Sequence, residues 1–285
     1  MNFNNFNTKK TLKIKNKIIF FNRPLLMGII NLSEDSFYKG SISNSLYEFE
    51  NKINEFILAE ADIIDIGAAS SRPGSDLISP KNEYERLKPY LPIVKKYSNN
   101  VLFSIDSYNS EIVKLCVNDF GFSIINDISG YNVDPKMFET ILSLNVPYIL
   151  MHMKGIPSNM QDNPTYEDIL NEIYSFFYEK IKELNSNSFT DIIIDPGFGF
   201  GKTLKDNYLL LKNLSFFKTL GYPILVGISR KSMIYKLLNS TPDEVLNETV
   251  CLNTFAILNS ADIIRVHDVA IFSRILFILN FINDL

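Results

Sequence analysis

DIIIDPGFGFGKTLKDN, at residues 191–207, carries the clearest sign of the fold. It begins with a β-branched run that ends in Asp195, continues through a glycine-rich turn and enters a pattern typical of an amphipathic helix. An apolar run of this length without alternation is typical of a strand that is buried on both faces of a parallel sheet. A buried strand followed directly by a helix is the repeating unit of α/β proteins.

The same strand–helix unit recurs along the chain. Seven further runs are predicted to be buried strands: LLMGII (25–30), DIIDIG (62–67), VLFSID (101–106), SIINDI (123–128), YILMHM (148–153), ILVGIS (224–229) and DIIRVH (262–267). Amphipathic helices are predicted between them at 44–60, 83–97, 109–119, 165–185, 205–219 and 242–259. Eight strands joined by right-handed crossovers predict a closed (β/α)8 TIM barrel, and an open doubly wound sheet is the competing arrangement.

The length of the chain fits a single barrel. Barrels of this class reach 285 residues as one domain, so we predict a barrel over residues 23–285, preceded by an extension and hairpin over 1–22. The segment TLKIKNKIIFFN at 11–22 predicts a short β-hairpin that caps the bottom of the barrel.

Composition and charge argue against several classes of protein. A net charge of −4 disfavours a nucleic-acid partner, so any anionic ligand must be held by local cations. The N-terminus has no signal-peptide core and no run approaches the ~18 apolar residues of a membrane span. We therefore expect a cytoplasmic protein without a membrane partner. Cys116 and Cys251 fall in apolar helical patterns and are predicted to be buried, reduced thiols.

Polar side chains collect at the carboxyl ends of the predicted strands, which is where barrels of this class carry their chemistry. Both histidines of the chain, His152 and His267, are among them. The other strand-end residues are Asn31, Gly67, Asp106, Asn126, Asp127, Met151, Met153, Asp195, Gly227, Ser229, Arg230, Lys231, Ser232 and Arg265. Their place on one rim predicts an active site.

Three rim residues favour a flat ring as ligand. Asp106, Asn126 and Asp195 are predicted to line the barrel mouth and to accept hydrogen bonds from a donor-rich, guanidine-like ring edge. Lys231 would donate to a ring oxygen or nitrogen. The alternative is a structural ion-pair network of Asp106, Asp195 and Lys231.

Two further strand ends favour an anion and a metal ion. Arg265 and His267 are one residue apart, so both face the same side of the strand and form a cationic fork suited to a phosphate oxygen. Asn31 offers the neutral oxygen that Mg²⁺ tolerates, although an asparagine at a strand end is also a common turn residue.

Two glycine-containing loops follow the strands. GFGFGK at 197–202 lacks the full GxxxxGK[ST] spacing and is therefore not interpreted as a nucleotide-binding P-loop. Its glycines are predicted to allow a tight turn, with Phe198 or Phe200 forming an apolar wall. SSRPGS at 70–75 predicts a mobile loop whose Arg72 either reaches a ligand or is solvated.

Eight motifs together resemble the dihydropteroate synthase family. They are MGIINLSEDSF, ADIIDIGAASSRPGS, SIDSYNSEIV, IINDISG, YILMHMKGIP, IIIDPGFGFGKTLKDN, LVGISRKS and ADIIRVHDV, and they occur in the family's order from about residue 25 to about residue 270. The combination of DPGFGFGK, SRKS and RVHD is highly specific. The resemblance implies a barrel enzyme that condenses 6-hydroxymethyl-7,8-dihydropterin pyrophosphate with p-aminobenzoate and releases pyrophosphate.

The resemblance also implies roles for single residues. The catalytic set would be Asp106, Asp195, Lys231, Arg265 and His267. The pterin would contact Asp106, Asn126, Met151, Asp195, Gly227 and Lys231. The pyrophosphate would contact Asn31, Ser71, Arg265 and His267, with Mg²⁺ on Asn31. The aminobenzoate would contact Ser71, Arg72, Pro73, Phe200, Lys231 and Ser232.

A homodimer is implied by the resemblance too. The apolar segment IFSRILFILNFI (271–282) fits either an interface helix or a core-facing terminal helix.

The chain departs from the family pattern in two loops. Ala69 stands where the second loop usually has glutamate, Ser71 replaces threonine, and Glu34 stands where the first loop usually has proline. These departures leave an inactive pterin-binding paralogue open as an alternative. A methyltetrahydrofolate:corrinoid methyltransferase is the other alternative, but it has no use for the fork at Arg265 and His267.

Overall fold

Eight parallel strands surround the centre of the molecule, and a two-stranded hairpin lies below them. The computed structural model describes residues 9, 11–14, 17–32, 42–69, 74–283 and 285. The hairpin strands are β1 (Thr11–Ile14) and β2 (Lys17–Phe20). The barrel strands are β3 (Leu25–Asn31), β4 (Ile63–Gly67), β5 (Leu102–Asp106), β6 (Ile124–Asp127), β7 (Tyr148–Met151), β8 (Ile192–Asp195), β9 (Leu225–Val226) and β10 (Ile263–Val266).

The parallel sheet closes on itself. Its strands follow in the order β8-β7-β6-β5-β4-β3-β10-β9, and a parallel bridge between Ile194 and Ile224 joins the two ends. All eight predicted strands are present, and the predicted (β/α)8 barrel is confirmed in place of the open sheet. The predicted hairpin is confirmed as well, while the division of the chain at residue 22 stays a prediction.

At least one helix follows each barrel strand. The helices are α1 (Ile42–Leu58), α2 (Pro80–Leu87), α3 (Leu91–Tyr97), α4 (Ser110–Phe120), α5 (Met137–Leu144), α6 (Ile169–Ser186), α7 (Leu204–Lys212), α8 (Ser232–Tyr235), α9 (Leu246–Leu258) and α10 (Val269–Asn283), with a 3₁₀ helix at Leu214–Leu220. The segment predicted as one helix at 83–97 is two helices, because Pro89 and Pro92 each lack the N–H that a continuous helix needs. No helix among the described residues is long and apolar enough to cross a membrane.

The interior of the barrel explains which side chains reach its mouth. Its lower layer is apolar and consists of Leu25, Met27, Ile63, Ile124, Ile149, Ile193, Leu225 and Ile263, closed from below by Leu12 and Ile14 of the hairpin. Successive side chains of a strand point to opposite faces, so residues two and four positions further along also point inward. Two positions above members of this layer lie Asp65, Asn126, Met151, Asp195, Gly227 and Arg265, together with the apolar Ile29.

The two cysteines differ in their surroundings. Cys116 is buried in α4, as predicted, whereas Cys251 is exposed, so the prediction for Cys251 is wrong. The core-facing positions of α9 are Thr249, Asn253 and Ala256. Cys251 follows Thr249 by two residues, which is about 200° around a helix, and therefore lies on the outer face.

Candidate active site

Asp106, Asn126 and Asp195 lie at the carboxyl ends of β5, β6 and β8 and face the interior of the barrel, as predicted. Asn126 and Asp195 are buried, and the Asp195 carboxylate accepts a hydrogen bond of 2.8 Å from the Gly197 N–H. Asp106 is adjacent to Asn126 in the β5–β6 register. The structure therefore brings acceptor groups from neighbouring strands to one mouth.

Arg265 forms the centre of an ion-pair network in this mouth. Its Nε donates to Asp65 at 2.7 Å and its Nη2 donates to Asp106 at 2.7 Å. Asp65 also accepts a hydrogen bond of 3.0 Å from the Asn126 amide. The ion-pair network considered from the sequence had other members, since Arg265 and not Lys231 pairs with Asp106. Among the described residues, Nη1 of Arg265 has no acceptor, since the bonds to Asp65 and Asp106 run from Nε and Nη2.

Asp65 was not among the residues predicted for the site. It is fully buried, and its second carboxylate oxygen has no hydrogen-bond partner among the described residues. The sequence did contain a signal for Asp65, since it lies in the middle of the apolar run DIIDIG. An aspartate is rarely fully buried unless it is paired, so a partner for it could have been expected. Asp65 therefore belongs to the site as the group that holds both Arg265 and Asn126.

Burial changes the acidity of the two predicted carboxylates. Desolvation raises the pKa of Asp106 to about 7, although the charge of Arg265 opposes the change. Desolvation also raises the pKa of Asp195, while Lys231 and the Gly197 N–H oppose it. Both groups therefore hold a proton more readily than exposed aspartates do.

Lys231 lies over the turn that follows β8. Its Nζ donates to the Phe198 carbonyl at 2.6 Å and lies 4.6 Å from the centre of the Phe200 ring. Burial lowers the pKa of Lys231 to about 8, and the charge of Asp195 opposes the change. Ser232, the next residue, begins α8. Phe200, Lys231 and Ser232, three predicted aminobenzoate contacts, thus lie on one side of the mouth.

An apolar patch, here called the rim cluster, lies beside these polar groups. Its buried members are Tyr108, Ile128, Met151, Met160 and Phe200. Ala69, Ile78, Val133 and Met153 pack against it. Carboxylates and an amide next to an apolar patch are the surroundings that a polar heterocycle needs.

Gly227 leaves room next to the ion-pair network. A Cβ built at Gly227 would meet the Arg265 side chain at 3.9 Å, which is ordinary van der Waals contact. The backbone at Gly227 is not in the left-handed region. Neither strain nor protein packing therefore requires a glycine here, which is consistent with its predicted place against the pterin.

The predicted phosphate fork carries one formal charge. His267 follows β10 at the rim, and its Nδ1 lies 3.1 Å from the Ser229 hydroxyl. Desolvation of the ring and the neighbouring charge of Arg265 lower the pKa of His267 to about 4. The imidazole is therefore neutral near pH 7, and the prediction of two cations holds only for Arg265.

Asn31 ends β3 and is exposed at the rim, beside Gly67 in the β3–β4 register. The described part of the chain contains no group of three or more histidine, cysteine or acidic side chains that could hold a metal ion. Mg²⁺ usually keeps several waters and is bound by one or two side chains together with substrate phosphates. The Asn31 amide oxygen fits that kind of binding, so its role as the Mg²⁺ ligand stays a prediction.

The predicted residues on the first two loops cannot be compared with the mouth in the same way. Ser71, Arg72, Pro73 and Glu34 are outside the described residues, while Ala69 packs against the rim cluster. His152 is at a strand end, as predicted, but it is buried with its Nδ1 3.0 Å from Lys202 Nζ.

Comparisons with known proteins identify what the chain is similar to. Residues 27–267 match the family described as pterin binding enzyme, a range that contains every predicted site residue. The dihydropteroate synthase of Escherichia coli K12 is 39% identical over 248 residues, which is 86% of this chain and 87% of that protein.

Solved structures are similar over nearly the full length. The Yersinia pestis dihydropteroate synthase in a sulfonamide drug complex has a TM-score of 0.88 and 34% identity, covering 96% of this chain and 100% of that one. The Xanthomonas albilineans dihydropteroate synthase in complex with 7,8-dihydropteroate has a TM-score of 0.84 and 28% identity, covering 96% and 99%.

Proposed function

The chain belongs to the family of pterin-binding enzymes, and we propose that it is a dihydropteroate synthase. It joins 6-hydroxymethyl-7,8-dihydropterin pyrophosphate to p-aminobenzoate and releases pyrophosphate. The observation that carries the proposal is the grouping of Asp106, Asn126 and Asp195 at one barrel mouth, between Lys231 and Arg265. Its similarity to dihydropteroate synthases, which extends over most of their length, supports the proposal.

The pterin ring binds across the mouth. The oxygens of Asp106, Asn126 and Asp195 accept hydrogen bonds from the N–H groups of its guanidine-like edge. Lys231 donates to a ring acceptor, and Met151 of the rim cluster supplies an apolar contact to the ring face. Gly227 leaves the space in which the ring lies.

The pyrophosphate lies toward β10. Nη1 of Arg265, which has no acceptor among the described residues, donates to a phosphate oxygen. The neutral imidazole of His267 adds an N–H donor. Mg²⁺ bound at Asn31 would supply further neutralisation of the charge on the pyrophosphate.

The chain's residues stabilise charge and do not form a covalent bond. The bond between the pterin methylene carbon and the pyrophosphate oxygen breaks, and its electron pair leaves with pyrophosphate. The carboxylates of Asp106 and Asp195 stabilise the positive charge left on the pterin. The aryl amine then forms the new carbon–nitrogen bond and releases a proton. Phe200, Ser232, Ser71, Arg72 and Pro73 position that amine.

The protein acts as a homodimer in the cytoplasm in this proposal. Exposed apolar side chains on the last helix support a dimer: Phe277, Ile278, Phe281 and Ile282 are all more than half exposed. These residues are spaced so that they share one face of α10, opposite the buried Val269, Phe272 and Leu276. Dihydropterin pyrophosphate and p-aminobenzoate are the proposed small-molecule partners.

An assay of pyrophosphate release tests the function. Release is expected only when both substrates are present, and it should fall when Mg²⁺ is removed. Asp195→Asn should weaken binding of the pterin substrate by about 10- to 100-fold, because a hydrogen-bonded buried charge is lost. Circular dichroism and the unfolding temperature serve as controls for folding.

Three outcomes would contradict the proposal. Pterin binding without pyrophosphate release would indicate an inactive paralogue. Methyl transfer from methyltetrahydrofolate would indicate the corrinoid-dependent enzyme. Unchanged turnover and affinity in Asp195→Asn would remove Asp195 from the site.

A further inference from the structure

Lys202 is a buried lysine that the chemistry above does not use. Its Nζ lies 2.8 Å from the Gly197 carbonyl, 3.0 Å from the Phe200 carbonyl and 3.2 Å from the His152 carbonyl. It also lies 3.0 Å from Nδ1 of His152. The side chain is 3% exposed, so these four atoms replace water as its partners.

In the turn at residues 197–201, here called the β8 loop, each backbone carbonyl accepts a hydrogen bond from a side chain. The donors are Lys202 to Gly197 and Phe200, Lys231 to Phe198, Gln161 to Gly199, and Tyr166 to Gly201. Gly197, Gly199 and Gly201 all have positive φ, which turns successive peptide groups in different directions. Five consecutive carbonyls are therefore fixed by four side chains.

One lysine lies on each side of this loop. Lys202 holds it from the buried side through two carbonyls, while Lys231 contacts the Phe198 carbonyl and the Phe200 ring from the side of the mouth. Desolvation lowers the pKa of Lys202 to about 7 and that of Lys231 to about 8, while the charge of Asp195 opposes both changes and favours the ammonium forms. His152 is neutral because desolvation lowers its pKa well below the usual value, so its Nδ1 can accept a hydrogen bond from Lys202.

We propose that Lys202 is a positioning residue that acts through the β8 loop to place Phe200 and Lys231 against the aminobenzoate. This inference rests on the proposed function. Without the ammonium, the Phe200 carbonyl loses its side-chain donor and the Gly197 carbonyl keeps only the Phe200 N–H, so both carbonyls turn toward other groups. The Phe200 ring and the Phe198 carbonyl move with them, and Lys231 loses its fixed position.

The effect should fall mainly on the second substrate. Asp106 and Asn126 are held by their own strands and by Arg265 and Asp65, none of which contacts Lys202. The predicted aminobenzoate contact Phe200, in contrast, is itself part of the β8 loop. Asp195 and Lys231, which also contact the pterin in the proposed function, are joined to the loop by one hydrogen bond each, so a smaller effect on the pterin substrate is expected. A purely structural lysine would change the affinities for both substrates alike.

Steady-state kinetics of Lys202→Met distinguish a positioning role of Lys202 from a purely structural one. KM for p-aminobenzoate is expected to rise about tenfold or more, while KM for the pterin pyrophosphate changes less than about threefold. Lys212→Met is the matched control, because Lys212 is an exposed lysine in the last turn of α7 and makes no hydrogen bond to the β8 loop among the described residues. Its two KM values should stay within about twofold of the wild type.

Lys202→Gln covers the case in which Lys202→Met does not fold. Glutamine keeps two N–H donors on a shorter, uncharged side chain and can hold at most two of the four acceptors, so an intermediate rise in KM for p-aminobenzoate is expected. Equal rises in both KM values, or no change in a folded variant, would overturn the role of Lys202. Absence of turnover in the wild type would instead contradict the proposed function.

Discussion

Gly227 shapes the barrel mouth by having no side chain. A methyl group at this position would touch Arg265 only at 3.9 Å and would not strain the backbone, yet it would occupy the space proposed for the pterin ring. The glycine therefore affects ligand binding more than folding.

Gly227→Ala should weaken binding of the pterin pyrophosphate by about tenfold, because overpacking at a filled contact costs about 1–3 kcal/mol. The unfolding temperature should stay the same or rise slightly, since alanine restricts the unfolded chain more than glycine does. Calorimetric titration and thermal unfolding measure the two effects. Unchanged affinity would mean that the ring does not lie over Gly227.

For single residues, the sequence predicts which side chains face the barrel interior, but it does not predict their partners or their protonation. The period of two along a strand was enough to place Asn126, Asp195 and Arg265 inside the barrel. It could not tell that Arg265 would pair with Asp65 two strands away, because that choice depends on distances between strands. The neutral state of His267 also depends on how much protein surrounds the ring.

Helix α2 carries a buried carboxyl group. Glu83 is fully buried, its Oε2 accepts a hydrogen bond from Asn109, and its Oε1 has no partner among the described residues. Desolvation raises the pKa of Glu83 to about 7, although the hydrogen bonds from Asn109 and Ser107 oppose the change. The folded protein therefore binds this proton more tightly than the unfolded chain, in which the pKa is near 4.5.

Glu83→Gln should flatten the dependence of stability on pH. In the wild type, the stabilisation from the protonated carboxyl is fully present below pH 4.5 and is lost as the pH rises through 7. Glutamine does not ionise, so the variant should gain up to about 3 kcal/mol relative to the wild type at alkaline pH. Denaturant unfolding across this pH range measures the difference.

Glu85→Gln provides the control on the same helix. Glu85 is exposed, so its replacement should change stability by less than about 0.5 kcal/mol at any pH. Parallel pH profiles for the wild type and Glu83→Gln would contradict the assignment of a shifted pKa to Glu83.

The positions of the strands were largely predictable from the sequence, whereas breaks within helices and short helices were less predictable. The eight strands could be located because buried parallel strands are short apolar runs between polar ends. The break between α2 and α3 follows from Pro89 and Pro92, whose effect overrides the apolar pattern across 83–97. α5 and α8 are short and carry few periodic positions, so the sequence pattern did not indicate them.

The outer surface of the whole molecule is uneven in its polarity. α10 buries Val269, Phe272 and Leu276 in the core, yet it exposes Phe277 by 75% and Phe281 by 62%. The sequence left open whether this segment faces the core or an interface, and the helix has an apolar face for each. Contiguous exposed apolar surface of this kind usually marks an interaction site.

Phe277→Glu should shift the proposed dimer toward monomers. Loss of one buried phenylalanine contact is worth about 1.5–3 kcal/mol, so the dissociation constant should rise by about 10- to 100-fold. Sedimentation velocity over a dilution series measures the shift. Tyr178→Glu, a similar change at a half-exposed position on α6, should leave the association unchanged. A monomeric wild type would contradict the proposed dimer.

The order of strands in the barrel has a consequence for synthesis on the ribosome. β3 pairs with β4 on one side and with β10 on the other, and Leu25 and Ile263, more than 200 positions apart in the chain, are opposite each other. The first barrel strand to be translated therefore keeps an unpaired edge until the last one has left the exit tunnel. Unpaired edges of apolar strands readily pair with other chains. Nascent chains that stall before residue 263 should thus be prone to aggregation, and a chaperone that shields the edge of β3 would protect them.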